Sequence, residues 1–234
     1  MKPIFYTKPV LYPNPGKNMD RDMRQNLDLI CRRASELLQA AALIDRSEPG
    51  LLTQEERNSA RRRGHNSAKR CLCGNMIAGS PHIAYFRSLN GTGFFPSVDD
   101  VSAFAQRVWI LEDRCGLADQ YLRGAADAAI QKGAEVILCP SPTRRDRLEA
   151  MFLPSSGAAF ISDRAAESMA CTDARRVHLD RIPNAEHKRA LRGAMRENRN
   201  MIQTLIARAA MYLANARILC ELGAIPCADE AERL

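Results

Sequence analysis

Residues 107–140 read RVWILEDRCGLADQYLRGAADAAIQKGAEVILCP. The apolar run Val108-Trp-Ile-Leu111 predicts a strand, and Val136-Ile-Leu-Cys139 predicts a second one. Between them, apolar residues at three- and four-residue steps predict a helix that ends at Gly133. Together these three elements span roughly thirty residues, which is the usual length of a βαβ unit. We expect the two strands to run parallel and the crossover between them to be right-handed.

Two helices are predicted upstream of this unit. Asp20 begins the first, whose apolar stripe continues until Pro49 and Gly50 stop it. Thr53 begins the second, because its hydroxyl group and Glu56 three residues later form a capping box. Residues 1–18 contain four prolines and predict an extended arm. The segment from residue 71 to 86 has a short, strand-like pattern.

The sequence downstream predicts two further strands and a long helix. The apolar segments 150–153 and 158–161 are separated by a Pro-Ser-Ser-Gly turn and are expected to extend the sheet. A long helix is predicted after the cap Asn184, with one apolar face. Together these patterns predict a three-layer α/β fold with a parallel sheet, an N-terminal helical segment and a long C-terminal helix packed on the sheet.

Length and composition are those of an ordinary globular protein. The 234 residues can bury one substantial core. No apolar run is long enough to span a bilayer and the first residues lack a secretion signal, so we expect a cytoplasmic protein without a membrane partner. The eight cysteines are scattered, mostly in apolar stretches, and are expected to be reduced.

The formal net charge of +7 raises the question of a polyanionic partner. The densest source of this charge is the run Arg61-Arg-Arg-Gly-His-Asn-Ser-Ala-Lys-Arg70. This run has no aromatic residues for stacking bases, and the usual nucleic-acid signatures are missing from the sequence. We therefore interpret it as a solvated basic linker rather than a nucleic-acid site.

The turn between the first strand and its helix lies where a phosphate-binding loop would be expected. Such a loop needs glycines, a lysine for the outer phosphates and a hydroxyl for magnesium. When the pattern G-x-x-x-x-G-K-[ST] is written over residues 112–119, Glu112 and Leu117 take the glycine positions, Ala118 takes the lysine position and Asp119 takes the hydroxyl position. The chemistry that binds a nucleotide is therefore missing from this turn.

The charges of the turn also oppose a phosphate. Glu112, Asp113 and Asp119 surround the start of the helix, against the single cation Arg114. We expect Asp119 to satisfy the backbone amides and the helix dipole that would otherwise hold an anion. Like-charge repulsion then disfavours nucleotide binding at this turn.

The order of these segments resembles the second half of a poorly characterised bacterial family of ATPase-like proteins with two P-loop halves. The resemblance is carried by residues 107–111, the turn, and residues 121–140. It continues through 146–154, 157–161 and 177–180 into the final helix. Upstream, residues 71–77 look like the segment that joins the halves, and residues 20–47 look like the closing helix of a first half.

This resemblance implies a P-loop NTPase-like α/β domain over residues 67–234, preceded by an arm and a helical remnant of the first half over residues 1–66. The degenerate loop then corresponds to Arg114, Cys115, Gly116, Asp119 and Gln120. The family also follows its next strand with an acidic residue and a Pro-His pair. Here Asp163 is displaced by one position and the histidine is missing. The resemblance therefore implies the fold, whereas the activity is in doubt.

Two other groups of residues could carry chemistry. Cys71 and Cys73 lie near His65 and His82, but a single residue between two cysteines is shorter than the usual zinc-ligand spacing, so a buried strand is the preferred interpretation. Cys115 lies at a helix start beside Arg114, but its acidic neighbours oppose a reactive thiolate, so we expect a structural thiol.

Three functions follow from these observations, in order of preference. The first is a degenerate P-loop ATPase-like protein without hydrolytic activity, which acts as a structural or partner-binding protein or as a homo-oligomer, with no cofactor. The second is a nucleoside-triphosphatase or nucleotide-binding protein that holds ATP and Mg²⁺ with an atypical loop. The third is a basic nucleic-acid-associated protein.

Overall fold

The computed structural model describes residues 10, 12–13, 19–47, 52–72, 80–96, 101, 105–167 and 173–224. The helices in these ranges are α1 (Arg21–Ser47), α2 (Gln54–Cys71), α3 (Ala118–Gln131), α4 (Asp163–Ala166) and α5 (Ala185–Ala224). The strands are β1 (Pro81–Ile83), β2 (Arg87–Asn90), β3 (Gly93–Pro96), β4 (Arg107–Glu112), β5 (Val136–Pro140), β6 (Leu148–Leu153), β7 (Ala158–Ser162) and β8 (Arg175–His178).

The main sheet has six strands in the order β1-β5-β6-β7-β4-β8. β6 runs antiparallel to both of its neighbours, whereas the pairs β1–β5, β4–β7 and β4–β8 are parallel. The α/β class is therefore confirmed, but the predicted parallel sheet is a mixed one. β2 and β3 form a separate antiparallel hairpin.

The predicted βαβ unit exists, with a difference in strand order. β4, α3 and β5 follow each other as expected, and the pairing pattern gives β4 and β5 the same direction. The segments 150–153 and 158–161 are also strands, but they lie between β4 and β5 instead of extending the sheet outward. The short turn at 154–157, in which Gly157 has a φ of 58°, makes β6 and β7 an antiparallel pair, because so short a connection does not permit a parallel one. The position of this pair is set by the pairing of β6 with β5 and of β7 with β4.

Each face of the sheet buries its own apolar cluster. On one face, α3 covers residues such as Leu111, Met151 and Phe160, and α2 packs outside α3. On the other face, Phe152 and Ile161 pack against Phe86, Ala105 and residues of α4. This arrangement agrees with a three-layer α/β fold in its coarse outline.

α2 and α3 approach each other closely enough for their backbones to touch. A Cβ atom added to Gly64 of α2 would lie 1.9 Å from the carbonyl oxygen of Tyr121, and one added to Gly124 of α3 would lie 2.0 Å from the carbonyl oxygen of Arg61. The two glycines are therefore required by the helix contact itself. Exposed Arg61 also donates to Asp127 of α3, at 2.6 Å.

The two longest helices form a pair. Leu27 of α1 clusters with Ala216 and Cys220, whereas Ala34 and Leu38 cluster with Ala209 and Leu213, so α1 and α5 run antiparallel. Besides α1, α5 contacts the β2–β3 hairpin. The expectation that the final helix packs on the sheet therefore needs correction: its apolar face is mainly covered by the matching face of α1.

The predicted start of α1 at Asp20 and the predicted cap of α5 at Asn184 are confirmed. The Asp20 carboxylate accepts from the backbone N–H of Met23 at 2.7 Å, and the Asn184 side chain accepts from the N–H of His187 at 2.7 Å. The predicted arm at 1–18 and the stop at Pro49-Gly50 lie mostly or wholly outside the described residues.

The strand predicted around Cys71 is wrong at its first residue. Cys71 is the last residue of α2, where its buried thiol donates to the carbonyl oxygen of Ser67, and Cys73 lies outside the described part of the chain. α2 also contains the whole basic run 61–70, so the prediction of a linker there is wrong. The helix continues through residue 66, the predicted division between the two segments. That division remains a prediction.

The predicted capping box of α2 is confirmed and has a third member. The N–H of Glu56 donates to the Thr53 hydroxyl at 3.2 Å, and a Glu56 carboxylate oxygen accepts from the N–H of Thr53 at 2.9 Å. The other carboxylate oxygen lies 2.8 Å from Nδ1 of His187 in α5. Burial opposes the charge of Glu56, but the hydrogen bonds from His187 and Thr53 outweigh it and lower its pKa.

We expect Glu56→Gln to lower the free energy of unfolding by up to about 1 kcal/mol at pH 7. Because the pKa of Glu56 is lowered in the folded state, its charge stabilises the protein above the ordinary glutamate pKa. That stability is lost as the pH falls through the folded-state value. Urea unfolding at pH 7 and at successively lower pH measures the difference, which should shrink in acid. Glu55→Gln, at an exposed position in the same helical turn, should change stability little at either pH.

Candidate functional site

The turn singled out by the sequence lies at the edge of the sheet where the parallel strands end. It connects β4 to α3, and the ends of β5 and β7 face the same edge because these strands share the direction of β4. In open α/β sheets, ligands bind outside this edge. The turn is therefore placed where a functional loop is expected in this architecture.

The carboxylate of Asp113 occupies the centre of the turn. Its Oδ1 accepts from the backbone N–H groups of Cys115 at 3.1 Å and Leu117 at 2.9 Å, and its Oδ2 accepts from the N–H of Ala118 at 2.7 Å. Three amides thus converge on one carboxylate, in the manner of a phosphate-binding nest. Asp113 is only 5% exposed, so the anion held by these amides belongs to the chain itself.

Local sequence explains the shape of the turn. Gly116 has a φ of 79°, in the left-handed region where glycine avoids the steric cost that other residues meet. This bend turns the amides after it back toward Asp113. Leu117, at the start of α3, has no side chain that could cap the helix, so the cap comes from Asp113, four residues earlier.

The expectation that Asp119 satisfies these amides is wrong. The Asp119 carboxylate accepts instead from Nε of Arg123 at 2.9 Å and from the backbone N–H of Leu148, at the start of β6, at 2.8 Å. Gln120 donates its side-chain amide to the same carboxylate at 3.2 Å. Asp119 therefore ties α3 to the start of β6, and Gln120 adds a hydrogen bond to the Asp119 carboxylate within α3.

The remaining residues of the predicted loop have structural partners. The backbone N–H of Arg114 donates to Asp180 at 2.7 Å, while its guanidinium group is largely exposed. Cys115 is buried, and burial together with the charges of Asp180 and Asp113 raises its pKa to about 12. Cys115 is therefore held as a thiol, which agrees with the structural role expected for it.

A second carboxylate lies beside the turn. Asp163 directly follows β7, the strand next to β4, and its Oδ2 accepts from the backbone N–H of Asp113 at 3.3 Å. Burial and then the nearby charge of Asp113 raise the pKa of Asp163. The acidic residue noted after this strand in the sequence is thus brought to the turn, as part of the same hydrogen-bonded group.

A cavity of about 500 Å³ opens above this edge of the sheet. Its floor includes Asp113 and Asp163, and one wall is formed by α5. The β2–β3 hairpin contributes Phe94, whose ring lies 4.2 Å below the guanidinium carbon of Arg87. The cavity therefore lies between the α/β core and the helix pair α1–α5.

Ion pairs neutralise most of the charges that line this cavity. Asp45, at the end of α1, pairs with Arg144, Arg147 and Arg164, at 3.5, 2.8 and 3.4 Å. Arg87 pairs with buried Glu149 at 2.8 Å. Burial raises the pKa of Glu149, and Arg87 partly offsets this effect. The Asp45 cluster fastens α1 to the core across the cavity.

Sequence reasoning did not find Asp45, Arg87 or Glu149, because their partners are 62 to 119 residues away in the chain. The described residues contain no group of three histidine, cysteine, aspartate or glutamate side chains arranged to hold a metal ion. None of the described helices is both long and apolar enough to cross a membrane.

Comparisons of this chain with protein-family models, curated proteins and solved structures found no match.

Proposed function

We propose that this chain is a degenerate P-loop-like α/β protein that does not hydrolyse nucleotides and acts as a binding protein. The observation that supports this proposal is the Asp113 carboxylate, which accepts hydrogen bonds from three backbone amides at the start of α3. A nucleotide phosphate would have to displace a buried, covalently attached anion from those amides. Asp163 beside the same turn would repel the phosphate further.

The outer surface of the helix pair supports a role in binding a protein partner. On α5, Ile218 and Leu222 lie four residues apart and are each more than half exposed. Leu29 and Leu43 are similarly exposed on α1. Apolar side chains grouped on one helix face are typical of surfaces that contact another protein.

A nucleotide-binding protein is the second candidate, and the position of the cavity favours it. The cavity adjoins Asp113 and Ala118, at the edge of the sheet where α/β proteins hold their ligands. Under this alternative, the Asp113 carboxylate must leave the amides when a nucleotide arrives.

Titration with Mg-ATP separates the two candidates. We expect no saturable thermal stabilisation of the wild-type protein by Mg-ATP, because Asp113 already satisfies the amides and residue 118 is alanine. Ligand binding at a hundred times its Kd would stabilise the folded state by about 2.7 kcal/mol, which a thermal unfolding scan detects easily. A saturable shift at sub-millimolar Mg-ATP would establish the second candidate.

A variant with the missing loop residues shows which element prevents binding. The triple variant Leu117→Gly, Ala118→Lys and Asp119→Ser supplies a glycine, a lysine and a hydroxyl, but leaves Asp113 between the amides. We therefore expect that Mg-ATP does not raise the thermal stability of this variant either.

A further inference from the structure

The face of α5 that lines the cavity carries two polar residues near one end, Arg199 and Gln203, and is apolar from Ile206 to Met211. Arg199, Ile202, Ile206 and Ala210 follow each other at three- and four-residue steps, so they share this face. Ile202 and Ala210 are buried, and Ile206 is partly buried. From residue 199 to residue 210 the helix rises about 16 Å, which gives the wall an elongated shape.

Arg199 differs from the other arginines that line the cavity. Arg87, Arg147 and Arg164 each pair with a carboxylate within 4 Å. Arg199 forms no such pair with any residue of the described ranges. Its charge interacts with that of Asp163, but the Asp163 carboxylate already accepts from two backbone N–H groups. One guanidinium therefore remains to receive an anion.

The charges around the cavity limit that anion to a single negative charge. Glu149 is paired with Arg87, but Asp113, Asp163 and Glu167 also line the cavity and disfavour an anion with several negative charges, such as a polyphosphate. A monoanion can approach Arg199 alone and direct its apolar part along Ile202 and Ile206. Burial of that apolar part removes hydrocarbon surface from water and therefore favours binding.

From these features we propose that the cavity between the α/β core and α5 binds a small amphiphilic monocarboxylate. Its carboxylate contacts Arg199, and its apolar chain lies along Ile202, Ile206 and Ala210. This inference does not depend on whether the turn between β4 and α3 binds a phosphate. The ligand contacts α5, and not the backbone amides that donate to Asp113.

Calorimetric titration with octanoate tests the proposal, with octan-1-ol and octylammonium as probes of the same length and different charge. We expect octanoate to bind the wild-type protein saturably at one site and at least about tenfold more tightly than either probe, since a charged hydrogen bond contributes about 1.5–3 kcal/mol. Arg199→Gln should lower the affinity for octanoate about tenfold and leave that for octanol unchanged.

Two further variants test whether octanoate binds against the α5 wall of the cavity. Arg196→Gln removes an exposed arginine one turn earlier on the same helix and should leave octanoate binding unchanged. Ala207→Trp, at an exposed position that lines the cavity, should fill the space and abolish binding while the protein stays folded. The proposal is overturned if octanoate does not bind saturably, if both arginine variants lose equal affinity, or if octylammonium binds as tightly as octanoate. The proposed function is tested separately, by titration with Mg-ATP. A failure of octanoate binding therefore does not count against it.

Discussion

Asp113→Ala will lower the free energy of unfolding by about 3–5 kcal/mol, because it leaves three backbone amides at the start of α3 without their acceptor. The carboxylate is buried and lies 2.7 to 3.1 Å from the three nitrogens. Arg147, 3.9 Å away, also loses a nearby negative charge. Urea unfolding at pH 7 measures the change.

The neighbouring residue supplies the control for this prediction. Arg114→Ala removes a side chain that is 80% exposed and leaves the backbone bond to Asp180 in place, so it should cost less than about 0.5 kcal/mol. If Asp113→Ala destabilises the protein no more than Arg114→Ala does, the carboxylate does not hold the turn together.

Gly64→Ala and Gly124→Ala will each destabilise the protein by about 3 kcal/mol, because each added methyl group meets a backbone carbonyl of the facing helix. The distances of 1.9 Å and 2.0 Å fall on backbone atoms, which cannot move aside without separating α2 from α3. Thermal unfolding followed by circular dichroism measures both variants.

Gly193→Ala is the matched control for these glycines. Gly193 lies inside α5, and a Cβ atom there would have no heavy atom within 4 Å. This substitution should therefore stabilise the protein by about 0.5–1 kcal/mol, through helix propensity alone. Equal effects at the three positions would mean that α2 and α3 are not in backbone contact.

The local elements of the fold could be predicted from the sequence, but their arrangement could not. Periodicity and turn residues located β4, α3, β5 and the β6–β7 hairpin, since these signals lie within a few residues of each other. The insertion of the hairpin between β4 and β5 depends on pairings between distant segments, such as Val108 with Ala159. A pattern along the chain contains no information on which of several parallel strands becomes the neighbour.

The candidate site shows the same limit at the level of single residues. The sequence identified the turn, its lack of a lysine and its acidic character. It assigned the capping role to Asp119 because a first-turn acidic residue is the usual partner of a helix start. The structure gives that role to Asp113 because Gly116 bends the chain back over it. One signal in the sequence indicates this role for Asp113. It directly follows a predicted strand, and Gly116 comes three residues later.

The helix pair α1–α5 contains one feature that the sequence predicted and one that only the structure shows. Matching apolar stripes on the two helices were visible in the sequence, but the buried Asp45 that joins α1 to Arg147 was not. Asp45 stands after the last apolar residue of a helix, where a charged side chain is ordinarily exposed. Its burial follows from three arginines that come from two other parts of the chain.

Titration of Asp113→Ala with sodium sulfate tests most directly whether this carboxylate replaces a bound anion. The variant leaves three convergent amides next to the cavity, so sulfate should raise its midpoint of thermal unfolding saturably and restore part of the lost stability. The wild-type protein should show no saturable rise beyond the effect of sodium chloride at equal ionic strength. Equal responses of the variant and the wild type to sulfate would contradict the account.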